Sequence, residues 1–121
     1  LIPFYEEEIV ADSLQKQSEI HYDRVLEASL RMVKEVKSKL LKKVYIIESR
    51  FHSVNLDTEG NGTVQFRLTA INYKQRTTLP MILSFNVNGD VLDFNETFTD
   101  NLNKVHKLNS SVVGELLRNG G

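Results

Sequence analysis

The chain reads as an α+β domain: a long N-terminal helix, a four-stranded antiparallel meander and a C-terminal helix. Three observations predict this. Between Pro3 and Thr58 there is no Gly or Pro, and apolar residues recur there at helical spacing. At Val44 the apolar period changes from helical to two. Asn88-Gly89 then sits between two alternating runs, the strongest hairpin signal in the chain, because a type I′ turn needs positive φ at both central residues.

The first helix is expected over residues 3–43. Pro3 suits a first helical position, and Glu6 to Glu8 place negative charge near the helix N-terminus. Tyr22, Leu26, Ser29, Val33, Val36 and Leu40 step by alternating fours and threes. Val25, Ala28, Leu30, Met32 and Leu41 widen that stripe into a broad apolar face. The polar stretch Gln15 to Glu19 offers a place for a break, with Ser18 capping a second helix. A continuous helix of this length spans on the order of 60 Å, too long to lie wholly across one small sheet. Part of it should project or meet another chain.

Strand signals follow. Val44 to Val54 is rich in β-branched and aromatic residues. Val64, Phe66, Leu68 and Ala70 alternate with polar residues, as a half-buried strand requires. Leu79, Met81, Leu83, Phe85 and Val87 form one face of a third strand. With Asn88-Gly89 as the turn, Val87 faces Asp90, Phe85 faces Leu92 and Leu83 faces Phe94, which sets a short fourth strand at 90–95. Leu102, Val105, Leu108, Val112 and Leu116 then give a C-terminal helix its stripe, interrupted at Asn109-Ser110-Ser111. Residues 1–43 form a helical segment and residues 44–121 a sheet with its helix, together one domain.

Composition bounds the function. A chain of 121 residues, 40% hydrophobic and 26% charged, builds a real core. There is no cysteine, which removes disulfides, thiolate catalysis and Cys-based zinc sites. No run approaches a membrane span. A start at Leu1 rather than Met sets the expectation of a processed or trimmed piece, with any targeting segment outside it. Asn61, Asn95 and Asn109 each open an N-x-S/T sequon, a pattern that turns and caps also favour.

Asp57-Thr-Glu-Gly-Asn-Gly resembles the opening of a calcium loop. Its flanks, however, alternate as strands, and the twelfth position is Leu68 rather than a bidentate Glu. Gly60-Asn61-Gly62 is better read as a hairpin turn. His21, His52 and His106 show no metal-ligand spacing, and His21 and Asp23 point about 200° apart on a helix. His21 is therefore read as an exposed helical histidine. No nucleophile elbow, phosphate loop or dinucleotide fingerprint occurs. These readings predict no catalytic, cofactor or metal residues, and no enzyme.

The net charge of −1 hides a gradient. Residues 1–30 hold Glu6, Glu7, Glu8, Asp12, Glu19, Asp23 and Glu27 against Lys16 and Arg24, a net of −5. Residues 31–50 hold Arg31, Lys34, Lys37, Lys39, Lys42, Lys43 and Arg50 against Glu35 and Glu48, a net of +5. The helix dipole accounts for charge only within the terminal turns. The lysines interleave with apolar residues and adjoin no aromatic platform, so nucleic acid is disfavoured. Two copies laid antiparallel would match opposite charges. The sequence thus points to a protein-interaction or assembly domain that pairs or docks through Tyr22, Leu26, Val33, Lys34, Val36, Lys37 and Leu40. The alternatives are a pocket domain for an apolar small ligand and a non-catalytic part of a secretion or surface assembly.

Overall fold

The computed structural model describes residues 2–40 and 44–119, with side chains described from residue 19 onward. The fold is α+β. Helix α1 (Ile2–Leu40) is followed by β1 (Tyr45–Leu56), β2 (Gly62–Asn72), β3 (Thr77–Asn88), β4 (Val91–Asp93), β5 (Thr97–Thr99), β6 (Val105–Lys107) and helix α2 (Ser110–Arg118). The strands form one antiparallel sheet in the order β1-β2-β3-β5-β6, with β4 also paired to β3. Six strands replace the expected four.

Helix α1 is continuous over its 39 residues, about 58 Å at about 1.5 Å per residue. The break that the sequence allows at 15–19 does not occur. A local run of polar residues does not stop a helix that lacks Gly and Pro. Leu41, Lys42 and Lys43, assigned to this helix from sequence, lie outside the described residues, as do the side chains of Pro3, Glu6, Glu7, Glu8 and Ser18.

One face of the sheet is the core. Val64, Phe66, Leu68 and Ala70 of β2 and Leu79, Met81, Leu83, Phe85 and Val87 of β3 are buried beneath the helices. From above, α1 contributes Val25, Val33, Val36 and Leu40, and α2 contributes Val113 and Leu117. Ser29 is fully buried within that stripe. Its hydroxyl donates to the Leu26 carbonyl at 2.7 Å, which satisfies it and leaves a small contact surface for the sheet. Phe51, Phe66, Phe85 and Phe94 form a row of ring contacts across β1, β2 and β3 to the residue after β4. The opposite face is polar: Ser53, Gln65 and Ser84 link in a hydrogen-bonded row. Pro80 of β3 pairs in register with Thr69 of β2.

The β3–β4 hairpin differs from expectation by two residues. Asn88 pairs with Val91, and Val87 with Leu92, so the turn residues are Gly89 and Asp90. Gly89 has φ of +62°, and its N–H donates to Asn61 Oδ1 at 2.7 Å. A shift of two keeps every side chain on its own face, so the apolar pattern did not distinguish the registers. Gly at the first central position, held by Asn61, selected this one.

The expected C-terminal helix starts late. Asp100 accepts the N–H groups of Leu102 and Lys104, and Asn103 sits at φ +60°, which folds 100–104 into a turn between β5 and β6. Leu102 and Val105 therefore lie exposed on that hairpin rather than on a helix stripe. Asn109 is the N-cap of α2, its side chain accepting from the Val112 N–H at 2.8 Å. The residues read as an interruption are the helix start, and the buried positions are Val113 and Leu117 rather than Val112 and Leu116.

Candidate functional site

The surface of α1 is decided by which side it turns to the sheet. At about 100° per residue, Val25, Ser29, Val33, Val36 and Leu40 cluster in one arc. All five are buried. Of the seven residues singled out for interaction, Val33, Val36 and Leu40 thus belong to the domain's own core. Helical spacing marks an apolar face but does not say whether a sheet or another chain covers it. Leu26 and Lys37 are half-buried, while Lys34 and Tyr22 are exposed. Leu26 packs at the margin of the core.

The two flanks of α1 differ. On one, Met32, Glu35, Val36 and Lys39 line a cleft of about 320 Å³ that is completed by Phe94, Glu96, Leu108, Asn109 and Ser110. Lys39 reaches Glu96 there at 4.0 Å, across an exposed surface where such a pair contributes little. The other flank faces β1. There Leu30 is 48% exposed, a large apolar side chain that the sheet does not cover. On β1, Phe51 is also open. Phe51 lies opposite Phe66 in the register and packs its edge on that ring at 5.8 Å, yet it remains 44% exposed. Phe66 itself is 1% exposed. The inner face of the sheet is thus sealed over β2 and β3, while on β1 Phe51 is open and Ile46, Val54 and Leu56 are half-buried against the core.

β1 is an edge strand of 12 residues. Register shifts at Ile46/Glu48 and Phe51/Ser53, and the charged pair Glu48–Arg50 at 3.2 Å, break up its edge. Bulges and charges of this kind oppose strand addition, so the edge itself is a poor docking template.

His21 is not the free surface histidine expected. Its Nε2–H donates to the Gly60 carbonyl at 2.8 Å, and its Nδ1 lies 3.8 Å from Asp90. A Cβ on Gly60 would fall 2.8 Å from the imidazole, so glycine there permits the close approach. With the Asn61–Gly89 bond, this contact ties α1 to both sheet turns. Its role is to fix where the helix crosses the sheet end. No spacing rule links His21 to a turn 39 residues away.

The second histidine pair is also structural. His106 stacks on Phe98, and its Nε2–H donates to Asp100 Oδ2 at 2.7 Å. This bond, then the Lys104 and Leu102 N–H groups, hold the Asp100 carboxyl below its ordinary range against the opposing effect of burial. The Asp57 loop is a β-hairpin turn: Asp57 Oδ1 accepts from the Glu59 and Asn61 N–H groups. Among the described residues no group of three His, Cys, Asp or Glu side chains is placed to hold a metal ion. No helix among them is long and apolar enough to cross a membrane.

No protein-family model, curated protein or solved structure matches the chain.

Proposed function

We propose that this is a non-enzymatic assembly domain, working through the flank of α1 that faces β1. The observation that carries the reading is Leu30, 48% exposed on a helix whose buried side is already committed to the sheet. The domain supplies a rigid head, and α1 carries the contact, within a larger complex.

Light scattering after size exclusion tests this with wild type and Leu30→Asp. The substitution should lower the mass in solution while circular dichroism stays unchanged. Equal masses for the two chains, with both folded, would refute the reading.

A second reading rests on the cleft between α1, Phe94 and the start of α2. Its volume of about 320 Å³ is at the lower end for a small-molecule site. Glu35, Lys39 and Glu96 on its wall suit a ligand with polar groups rather than a purely apolar one.

A further inference from the structure

The open flank of α1 has a charge order. Glu19, Asp23, Leu26, Glu27, Leu30, Lys34 and Lys37 fall within about 100° of arc on the helix. Acids occupy its N-terminal half, Leu30 its middle and lysines its C-terminal half. Helical spacing offers a base to Glu27 (Arg24 and Arg31) and to Glu19 (Lys16), but it offers no opposite charge to Asp23, Lys34 or Lys37. Asp23 has acids four residues away on both sides, Glu19 and Glu27, and no base three or four away. Lys34 and Lys37 have no acid at those spacings. Among the described residues none of these five charges forms an ion pair within 4 Å. The helix dipole favours Lys37 in the last turn, but it does not reach Asp23 or Glu27 in mid-helix.

We infer that the occupant of this flank is a second copy of the chain, its α1 antiparallel to the first and crossing near Leu30. The inference rests on the assembly reading above and specifies its partner and geometry. A two-fold axis at Leu30 sets Leu30 against Leu30 of the second copy and Asp23 against Lys37 of the second copy. Glu27 then lies beside Lys34 of the second copy. Each charge contact occurs twice and the Leu30 contact lies on the axis, as the interface of a symmetric dimer requires. The like-charge neighbours that repel along one helix become attractive across two. A parallel pair would set acid on acid and base on base, so the same charges select the orientation.

Two charge reversals test this. Lys34→Glu/Lys37→Glu makes the flank wholly acidic, and Asp23→Lys/Glu27→Lys makes it basic. All four positions lie outside the buried core, so both chains should fold. Wild type should be a dimer that weakens as salt is raised. Each reversed chain alone should dissociate at least tenfold more readily, and an equimolar mixture of the two should recover the dimer mass. Should a reversed chain not fold, Glu27→Gln/Lys34→Gln removes charge without reversing it and must still weaken the dimer severalfold. Monomeric wild type at all concentrations overturns the inference, as do unaffected reversed chains or a mixture that stays monomeric. If Leu30→Asp dissociates the wild type but the mixture fails to pair, the antiparallel geometry fails and the assembly reading stands. If Leu30→Asp changes nothing, both fail.

Discussion

Truncating Val33 and Leu30 separately tests the helix phase on which the open flank depends. The two residues lie three apart on α1, yet Val33 is 3% exposed and Leu30 is 48% exposed. Val33→Ala removes two buried carbons, about 1.6 kcal/mol at about 0.8 kcal/mol each. A void of roughly 40 Å³ adds about 1 kcal/mol, giving a cost of about 2–3 kcal/mol. Leu30→Ala removes three carbons that are only half withdrawn from water and leaves no closed cavity. It should cost about 1 kcal/mol, partly offset by the better helix propensity of Ala. Urea unfolding resolves the difference. With a slope of about 1.5 kcal/mol per molar, the midpoint should fall by about 1.3–2 M for Val33→Ala and by about 0.7 M or less for Leu30→Ala. The titrations belong at a concentration where both variants are monomeric, because association would add to apparent stability. Equal shifts, or a larger one at Leu30, would refute the placement of α1 and the flank argued from it.

Two further predictions concern the supporting turns. In Gly62→Ala the new Cβ would fall 1.9 Å from the Asn55 carbonyl oxygen, so the ends of β1 and β2 must separate. A loss of about 2–4 kcal/mol is expected, and a melting temperature within a degree or two of wild type would contradict it. Asp100 has its folded-state pKa depressed, so its contribution is complete above the unfolded value of about 3.9 and is lost as pH falls through the folded value. Below about pH 4 the Leu102 and Lys104 amides should therefore lose protection in wild type. Asp100→Asn should flatten that dependence, and hydrogen exchange at these amides showing the same acid profile in both chains would be evidence against the turn's dependence on the carboxylate.

Much of the architecture was legible in local pattern. The switch from helical spacing to alternation near Val44 located the end of α1 and the first strand, because side-chain period follows directly from backbone geometry. The alternations at 64–70 and 79–87 named the core face residue by residue. What failed were choices between patterns of equal local merit. Leu102, Val105 and Leu108 have helical spacing, but the Asp100 carboxylate captures two backbone N–H groups and turns the chain first. Asn88-Gly89 is a good type I′ turn, but a bond from Asn61, distant in sequence, favours Gly89-Asp90.

The candidate site divides in the same way. Sequence showed that α1 is amphipathic, with acids before bases along it, since spacing and charge are properties of the chain order alone. It did not show which apolar residues the sheet would take. Val33, Val36 and Leu40 looked as suited to a partner as Leu26. Tertiary packing decided the matter: His21 on Gly60 fixes the crossing of α1, and the buried arc then leaves Leu30, with its flanking charges, uncovered. Burial depends on the relative placement of two elements, which neither element's sequence contains by itself.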